Sequence, residues 1–213
     1  MGAPALLFID VETSGLVDPH KPLDDPSQPW AVSIGAELTD LEGRTLSHIA
    51  TQIRSEGRRI KPEATAVHGI TNEMAGRGGV SETAALGVLV GMMNQVPFGG
   101  MVVGFNVEFD RQVLLGVLMR RRAEASIKAW TRPGLVWTDI QAPCLPFCRL
   151  PTPIDPDAYK RPSLDDAGET LLGMPRRVGF HGSYDDATRC RRVFFELVRR
   201  GAIVAPVIKE GAA

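Results

Sequence analysis

The most regular hydrophobic pattern in the chain is an apolar run that passes directly into two acids. Residues 6–16 read LLFIDVETSGL, and the four apolar residues that open this stretch predict a buried strand. Asp10 and Glu12 are two positions apart, so the alternation of a strand places both on one face. The TSG that follows breaks the strand. Both carboxylates are therefore expected near its C-terminal end, where open α/β sheets bind ligands.

Apolar and alternating segments elsewhere predict four more strands. Residues 31–40 and 44–54 flank the short turn LEG, as in an antiparallel meander. Residues 99–106 and 134–142 contain shorter apolar runs, and helical patterns lie between them. This order predicts an α/β fold with a mixed five-stranded sheet flanked by helices.

Capping residues and helical periodicity predict the helices. Pro62 suits the first position of a helix, and Ser163 suits an N-cap. Gly201 fits a helix stop. The segments interpreted as helices or helix starts are 61–71, 71–74, 81–96, 107–122, 163–173 and 184–200. The proline-rich segments interpreted as loops are 18–30 and 150–162.

Length and composition indicate one globular domain. The 213 residues are 44% hydrophobic, and no repeat or linker divides them, so a single domain over 1–213 is expected, with its core at about 5–200. The N-terminus lacks the features of a secretory signal and no apolar run is long enough to span a membrane, which predicts a cytoplasmic protein without a membrane partner. Cys144, Cys148 and Cys190 suit neither a disulfide framework nor a common zinc site, and are interpreted as reduced thiols.

The charge balance argues against binding long nucleic acids by charge alone. Net charge is −1 and the sequence pI is about 6.4. Such binding would require local basic patches, metal ions or both. The candidate patches are 119–132 and 189–200, although a solvated helix face explains each of them as well.

The acids of the first strand indicate a cation site only in combination with others. Neighbouring carboxylates repel unless a cation or proton lies between them, and oxygen ligands suit magnesium or manganese. Taken alone, Asp10 and Glu12 are better explained by a strand end that faces solvent. Asp110 lies one turn into a predicted helix with Asn106 at its N-cap, and helix-dipole stabilisation is the alternative for it. Near the C-terminus, His181 precedes two acids that open the last helix.

Taken in order, these segments resemble the DnaQ-like family of 3′-to-5′ exonucleases, the DEDDh group, which includes proofreading subunits of bacterial replicative polymerases and RNase T. The D-x-E-T-T/S-G motif is matched by Asp10, Glu12, Thr13, Ser14 and Gly15. The N-x-x-F-D motif is matched by Asn106, Phe109 and Asp110. The H-x-A-x-x-D-A motif is matched by His181, Asp186 and Ala187, and the H-G-I-T loop by His68, Gly69, Ile70 and Thr71. The match covers residues 5–200 and implies an RNase H-like exonuclease fold.

The resemblance implies a site for two divalent cations, Mg²⁺ or Mn²⁺. In such a site Asp10 bridges the ions, and Glu12 and Asp186 hold the ion that activates water. Asp110 supports the ion near the leaving group, directly or through water. His181 is the expected general base, so activity should rise with pH over the range in which a histidine deprotonates.

The resemblance also implies a pocket for the terminal nucleotide. The turn Thr13–Leu16 is expected to hold its sugar and base, with His68 lining the pocket and Phe109 beneath it. A structural loop histidine is the alternative for His68, and core packing is the alternative for Phe109. The residues assigned to substrate binding are Thr13, Ser14, Gly15, Leu16, His68, Asn106 and Phe109.

Three features depart from the family pattern or complicate it. Gly182 and Ser183 stand where Asn and Ala are usual, but both are small, so the backbone path should survive. The loop 17–29 is longer and richer in proline than expected, which leaves substrate preference open. Asp185 is adjacent to Asp186, but the spacing from the preceding histidine favours Asp186, so Asp185 should face solvent.

The expected activity is metal-dependent 3′-to-5′ hydrolysis of single-stranded DNA that releases 5′-mononucleotides. An RNA 3′ exonuclease similar to RNase T or oligoribonuclease is the close alternative, because sugar selection depends on the shape of the pocket near the 2′ carbon. A non-catalytic module associated with a polymerase is the alternative of another class, although all four acids and the histidine are present. A DNA polymerase is a candidate partner, while the lack of an obvious clamp-binding segment favours a freestanding, phage- or repair-associated enzyme.

Overall fold

The computed structural model describes residues 2–152, 155 and 158–208, and five strands within them form one mixed sheet. The strands are β1 (Leu6–Thr13), β2 (Ala31–Thr39), β3 (Thr45–Gln52), β4 (Met101–Gly104) and β5 (Val136–Asp139). Their order across the sheet is β3-β2-β1-β4-β5. Strand β2 is antiparallel to both β1 and β3, and β4 lies parallel to both β1 and β5. The predicted α/β fold and its antiparallel meander are confirmed.

Eight helices lie in the described residues. They are α1 (Pro62–His68), α2 (Asn72–Arg77), α3 (Glu82–Met93), α4 (Val107–Arg120), α5 (Glu124–Trp130), α6 (Gln141–Cys148), α7 (Leu164–Leu172) and α8 (Ser183–Arg199). The six predicted helical segments are confirmed, and α5 lies in the candidate basic segment 119–132. Helix α6 was not predicted, because Pro143 and Pro146 interrupt its pattern. Pro143 lies in the first turn, where its missing N–H costs no intrahelical hydrogen bond.

Strand alternation sends the residues of β1 into two cores. Leu7 and Ile9 belong to the larger apolar cluster, which includes residues of α3 and α4. Phe8 points to the opposite face and packs in a second cluster with residues of α7 and α8. Asp10 and Glu12 continue the face of Phe8, so the two acids are directed toward the side of the sheet that α8 covers.

The predicted loop 18–30 consists of turns and bends that are firmly attached to the helices. Gln28 is buried, and its amide donates hydrogen bonds of 2.8 to 3.2 Å to three carbonyl oxygens of the loop. From α4, Arg120 donates to the carbonyl oxygens of Leu23 and Pro29, at 2.9 and 2.8 Å. The loop is therefore a fixed wall. Of the second predicted loop, 150–162, residues 153, 154, 156 and 157 lie outside the described residues.

The three cysteines are free thiols, as predicted. Burial raises the pKa of Cys144 to about 12, which keeps the thiol protonated and unreactive. None of the helices in the described residues is long and apolar enough to cross a membrane.

The turn from β4 into α4 differs from the prediction at Asn106. Its backbone is left-handed, with φ of 65°, and within the described residues its side chain makes no capping hydrogen bond to α4. Its backbone N–H instead donates to Oδ1 of Asp139, at 2.7 Å. Asn106 therefore occupies the predicted N-cap position, but its side chain does not cap the helix. Asparagine suits the position because it tolerates the left-handed region better than other residues with a Cβ.

The sheet and helix α8 come into close contact at Gly35 in β2. The first turn of α8 crosses the strand there, and a Cβ at position 35 would overlap the backbone at Ser183. In the same contact, the buried hydroxyls of Ser33 and Ser183 lie 2.9 Å apart. Gly35 and Ser33 are the register partners of Asp10 and Glu12. This contact therefore sets the position of α8 relative to the two acids.

Gly35→Ala should destabilise the protein by about 1–3 kcal/mol, because an added methyl group forces β2 and α8 apart in a close-packed region. Urea unfolding measures this as a lower midpoint at unchanged slope. Gly87→Ala is the matched control: it lies on the exposed side of α3, and nothing lies within 4 Å of its added Cβ. Helix propensity predicts that this control is stabilised by up to about 1 kcal/mol. Equal stability of Gly35→Ala and the wild type would contradict the contact.

Candidate active site

Three carboxylates from two elements meet at the C-terminal end of β1. One oxygen from each of Asp10, Glu12 and Asp186 lies within 4.8 Å of the other two. The first two project from one face of β1, and Asp186 projects from the first turn of α8. All three are partly buried. Oxygen donors this close together suit a hard divalent cation.

Helix α8 presents Asp186 rather than Asp185 to the sheet. Gly182 precedes the helix in an extended conformation, and Ser183 begins it in contact with β2. Successive helical residues point about 100° apart. The helix therefore turns Asp186 toward β1 while Asp185 is exposed. The expectation that Asp185 faces solvent is confirmed.

Asp110 lies beside the three carboxylates and is tied to the backbone of β1. It is buried, and its Oδ1 accepts a hydrogen bond of 2.9 Å from the N–H of Val11. Because β4 pairs with β1 only along Leu6–Phe8, this N–H lies beyond the end of β4. The carboxylate replaces the missing strand partner, which gives Asp110 a structural contact in addition to its position beside Asp10.

Burial, followed by mutual repulsion, raises the pKa values in this cluster. The pKa of Glu12 rises from 4.5 to about 7, mainly because of burial and then because of the charge of Asp186. Burial raises the pKa of Asp110 from 3.8 to about 8, although the hydrogen bond from β1 opposes the shift. The pKa values of Asp10 and Asp186 are also raised, first by burial. A bound cation would offset the repulsion and favour the ionised forms.

His181 lies between two carboxylates at the edge of the cluster. Its Nδ1 is 3.9 Å from Oδ2 of Asp186, and its Nε2 is 3.7 Å from Oδ2 of Asp165. The side chain is 31% exposed, so water can reach the ring. The neighbouring Phe180 packs against Gly69, which links the histidine loop to the end of α1. The ring is thus held near the carboxylates and remains open to solvent, as a general base requires.

Asp165 and Arg177, which the sequence did not mark as site residues, connect His181 to the cluster. Arg177 pairs through Nη1 with Oδ1 of Asp186, and its Nε donates to Oδ1 of Asp165 at 2.8 Å. Asp165 also lies 3.4 Å from Nε of Arg189, which is buried. One buried carboxylate therefore holds two guanidinium groups and faces the histidine.

Only one sequence signal distinguishes Asp165 from its neighbour. Asp165 and Asp166 both open α7, where acids ordinarily stabilise the helix dipole. Asp166 forms a capping box with Ser163. Asp165 instead shares the buried face of the helix with Gly168 and Leu171. An acid in register with an apolar stripe is the pattern that marks it.

An apolar pocket of about 460 Å³ adjoins the cluster. Five of the predicted substrate-binding residues line it: Thr13, Gly15, Leu16, His68 and Phe109. The structure does not bring Ser14 or Asn106 into this pocket. The Ser14 hydroxyl points away and accepts a hydrogen bond of 3.1 Å from the N–H of Trp30. Asn106 is exposed in the turn beside β5.

His68 supports the turn that forms this pocket. Its Nδ1 accepts a hydrogen bond of 3.0 Å from the N–H of Ile70, so Nε2 carries the proton and donates to the carbonyl oxygen of Thr13 at 3.2 Å. Burial lowers the pKa of His68, in keeping with a neutral ring. His68 therefore has the structural role that was the alternative, and it also lines the pocket as predicted. The same is true of Phe109, which packs on the larger core and lines the pocket.

Comparisons with known proteins find similarity in structure. No protein-family model matches this chain, and no curated protein matches it in sequence. It is similar to exonuclease I from Methylocaldum szegediense, with a TM-score of 0.68 and 23% identity over 92% of this chain and 40% of that chain. E. coli exonuclease I in complex with a dT13 oligonucleotide gives a TM-score of 0.69 and 20% identity, over 92% and 41%. The zinc-bound complex of the same enzyme with single-stranded DNA gives 0.66 and 20%, over 92% and 40%.

This chain has the fold of the part of exonuclease I that it matches. It spans only 40–41% of the length of those exonuclease I chains. The fold that the resemblance to DnaQ-like exonucleases implied is therefore confirmed. At these identities the likeness shows the fold alone.

The metal-free protein should lose stability as pH rises. Glu12 and Asp110 have folded pKa values of about 7 and about 8, above their ordinary 4.5 and 3.8. Their neutral forms therefore stabilise the fold fully below about pH 4, and this contribution is lost as pH rises through 7 and 8. When thermal unfolding is followed in the presence of a chelator, Tm should fall as the pH rises from about 4 to 8. Added Mg²⁺ should raise Tm more at the alkaline end of this range than at the acidic end.

Asp110→Asn is the control for this effect, because the amide oxygen can still accept the hydrogen bond from Val11 but does not titrate. The variant should show a flatter dependence of Tm on pH. A metal-free Tm that rises steadily from neutral to alkaline pH would contradict the raised pKa values.

Proposed function

We propose that this chain is a metal-dependent 3′-to-5′ exonuclease that acts on single-stranded DNA and releases 5′-mononucleotides. The observation that carries the proposal is a cluster of three carboxylates and a histidine beside an apolar pocket. Exonuclease I structures with this fold include complexes with DNA oligonucleotides and a zinc-bound form. These complexes support the same classes of substrate and cofactor for this chain.

Divalent cations fit the cluster because of its donor atoms. Asp10, Glu12 and Asp186 offer only oxygen, and their raised pKa values mean that ionisation needs a compensating positive charge. We assign these three as ligands and Asp110 as a supporting carboxylate, since one of its oxygens already binds the backbone of β1. Two bound Mg²⁺ or Mn²⁺ ions would supply Lewis acidity, which activates water and stabilises the departing 3′ oxygen.

His181 is the general base in this proposal. The attacking water loses a proton to Nδ1, the ring nitrogen that lies 3.9 Å from Asp186. The ring becomes positive, and the carboxylates of Asp186 and Asp165 on its two sides stabilise that charge. Arg177 lies between these carboxylates and limits their repulsion.

The apolar pocket suits the base and sugar of a 3′-terminal nucleotide. Leu16 and Val67 line the pocket although they are 79% and 71% exposed, and Phe109 also lines it. Exposed apolar and aromatic side chains in a cleft provide a surface on which nucleobases pack. A free single-stranded end enters such a cleft without first opening a base pair, which favours single strands over duplexes.

RNA 3′ ends are the second candidate substrate. Sugar discrimination depends on a few atoms near the 2′ carbon. The oligonucleotides in the complexes of exonuclease I named dA16 and dT13 are DNA, which favours DNA here. Association with a DNA polymerase stays a prediction.

Asp186→Asn should reduce hydrolysis of a 5′-labelled DNA oligonucleotide to near background, because the cluster loses a negative ligand. Asp185→Asn is the matched control: the same chemical change on the exposed side of α8 should leave the rate near wild type.

His181→Ala should lower kcat by about 10²–10⁴-fold, the usual contribution of a general base. A chelator should abolish the ladder of shortened products, and added Mg²⁺ or Mn²⁺ should restore it.

A parallel assay on RNA of the same sequence tests the choice of sugar. Faster hydrolysis of RNA would overturn the DNA assignment in favour of an RNA exonuclease. Products that shorten from the 5′ end would contradict the proposed direction. No hydrolysis of either oligonucleotide with either metal would favour a non-catalytic binding module.

Asp165→Asn should lower kcat by about 10–100-fold, as expected for a residue that orients groups in contact with a metal site. The substitution removes the charge that holds Arg177 and leaves Arg189 buried without its partner carboxylate. KM for the oligonucleotide should change much less than kcat, because Asp165 does not line the nucleotide pocket. Glu169→Gln, at an exposed position of α7, is the control and should match the wild type. Equal kcat for Asp165→Asn and Glu169→Gln would contradict the positioning role.

A further inference from the structure

A second pocket lies on the other side of the turn that forms the apolar pocket. Its volume is about 250 Å³, and its walls include the turn, Trp30 and part of the loop 17–29. Among the described residues that line it, four are cationic and none is a carboxylate; the cations are Arg58, Arg59, Lys61 and Arg120. Gly15, Leu16 and Lys61 line both pockets.

Two of these cations are already engaged in the fold. Arg58 pairs with the buried Glu82 at 2.5 Å, and its guanidinium lies 4.3 Å from the ring centroid of Trp30. The guanidinium of Arg120 donates hydrogen bonds to carbonyl oxygens of the loop 17–29. Both side chains therefore form part of the pocket wall, and contacts within the protein partly compensate their charge.

The other two cations, Arg59 and Lys61, are uncompensated. Both are exposed, and within the described residues neither side chain forms an ion pair or a hydrogen bond. The stem of Lys61 lies across Gly15, so its ammonium group stands at the boundary between the two pockets. The net positive charge of the second pocket comes from these two side chains.

The walls that present these charges are preformed. The loop 17–29 is fastened to α4, and the hydroxyl of Ser14 binds the N–H of Trp30. The N–H of Lys61 donates to the carbonyl oxygen of Ser14, at 3.0 Å. Thr13, the last residue of β1, lines the apolar pocket, and Ser14, which follows it, lines the basic one.

A phosphate group is the anion that this arrangement suits. Arginine offers a planar fork of donors that matches phosphate oxygens, and lysine adds a mobile point charge. A nucleic acid carries a phosphate at every nucleotide, so a strand whose end occupies the apolar pocket brings further phosphates close to the turn. A chain of net charge −1 with an acidic cluster nearby needs such a local attraction.

We propose that the basic pocket is an accessory phosphate-binding site, in which Arg59 and Lys61 hold a phosphate of the nucleic acid whose 3′ end occupies the apolar pocket. This inference rests on the proposed function, because it assumes that nucleic acid enters the neighbouring cleft. The phosphate belongs either to the strand that is cut or to a complementary strand on the far side of the turn. The chemistry of recognition is the same in both cases.

Binding is measured in an Asp10→Asn background, by fluorescence anisotropy with labelled oligonucleotides over a range of salt concentrations. Arg59→Gln should weaken binding most at low salt and reduce the slope of log affinity against log salt by about 0.7 for a single strand or about 0.9 for a duplex. Arg59→Gln combined with Lys61→Gln should reduce the slope by about twice as much. Arg192→Gln, an exposed charge on α8, is the control and should leave the slope unchanged.

The form of the substrate identifies the source of the phosphate. If Arg59→Gln weakens the binding of single strands above a minimum length, the phosphate belongs to the strand that is cut. If it weakens only the binding of duplexes whose complementary strand has a 5′ overhang, the phosphate belongs to the complementary strand. Hydrolysis of the p-nitrophenyl ester of thymidine 5′-monophosphate, which holds one nucleotide, should be unaffected by Arg59→Gln. Equal slopes for Arg59→Gln and Arg192→Gln on all oligonucleotides would overturn the proposal.

The outcome also separates this inference from the proposed function. If wild type hydrolyses DNA but Arg59→Gln changes neither the slope nor KM, the accessory site is wrong and the exonuclease proposal stands. If binding depends on Arg59 but no hydrolysis occurs, the accessory site stands and the exonuclease proposal is wrong.

Discussion

The approach of α8 to Gly35 is the constraint on which the site depends. Asp10 is fixed by strand pairing near the centre of the sheet, whereas Asp186 belongs to a helix that follows much later in the chain. Only the docking of α8 on β2 brings the two carboxylates within 4.8 Å. The missing side chain at Gly35 sets how closely the helix lies on the strand. Two residues further along β2, the buried Glu37 accepts hydrogen bonds from three side chains of α8 and holds the helix there.

The same docking creates electrostatic repulsion that the fold only partly relieves. It adds Asp186 to Asp10, Glu12 and Asp110, and the pKa values of all four carboxyl groups are raised, first by burial and then by the other acids. Arg177 supplies one positive charge to the cluster, and Asp165 keeps that charge in place. The remaining repulsion lowers the stability of the ionised protein without a cation. A divalent ion would bind more tightly for the same reason, since free energy lost in assembling the carboxylates is regained on binding.

The sequence predicts the elements of this molecule well because local patterns determine them. Strand alternation directs Asp10 and Glu12 to one face, and the N-cap at Ser163 begins α7, both as the structure shows. Features set by tertiary contacts escape such patterns. The backbone of Asn106 follows a sharp turn from β4 into α4. The sequence marks Asp165 only by its register with apolar residues of α7, which does not show what that face of the helix contacts. Local sequence does not reveal which face a neighbouring element covers.

The distribution of positive charge is likewise difficult to predict from local sequence. The arginine-rich segments 119–132 and 189–200 are the candidate basic patches of the sequence. In the folded chain several of their guanidinium groups pair with buried or half-buried glutamates, so they fix helices rather than attract ligands. Arg59 and Lys61 belong to the shorter segment RRIK, residues 58–61, which is not among the candidate patches, yet they are the uncompensated cations at the basic pocket. The field near a site is therefore set by the few charges that folding leaves unpaired, and net charge alone is a poor guide to what the site can bind.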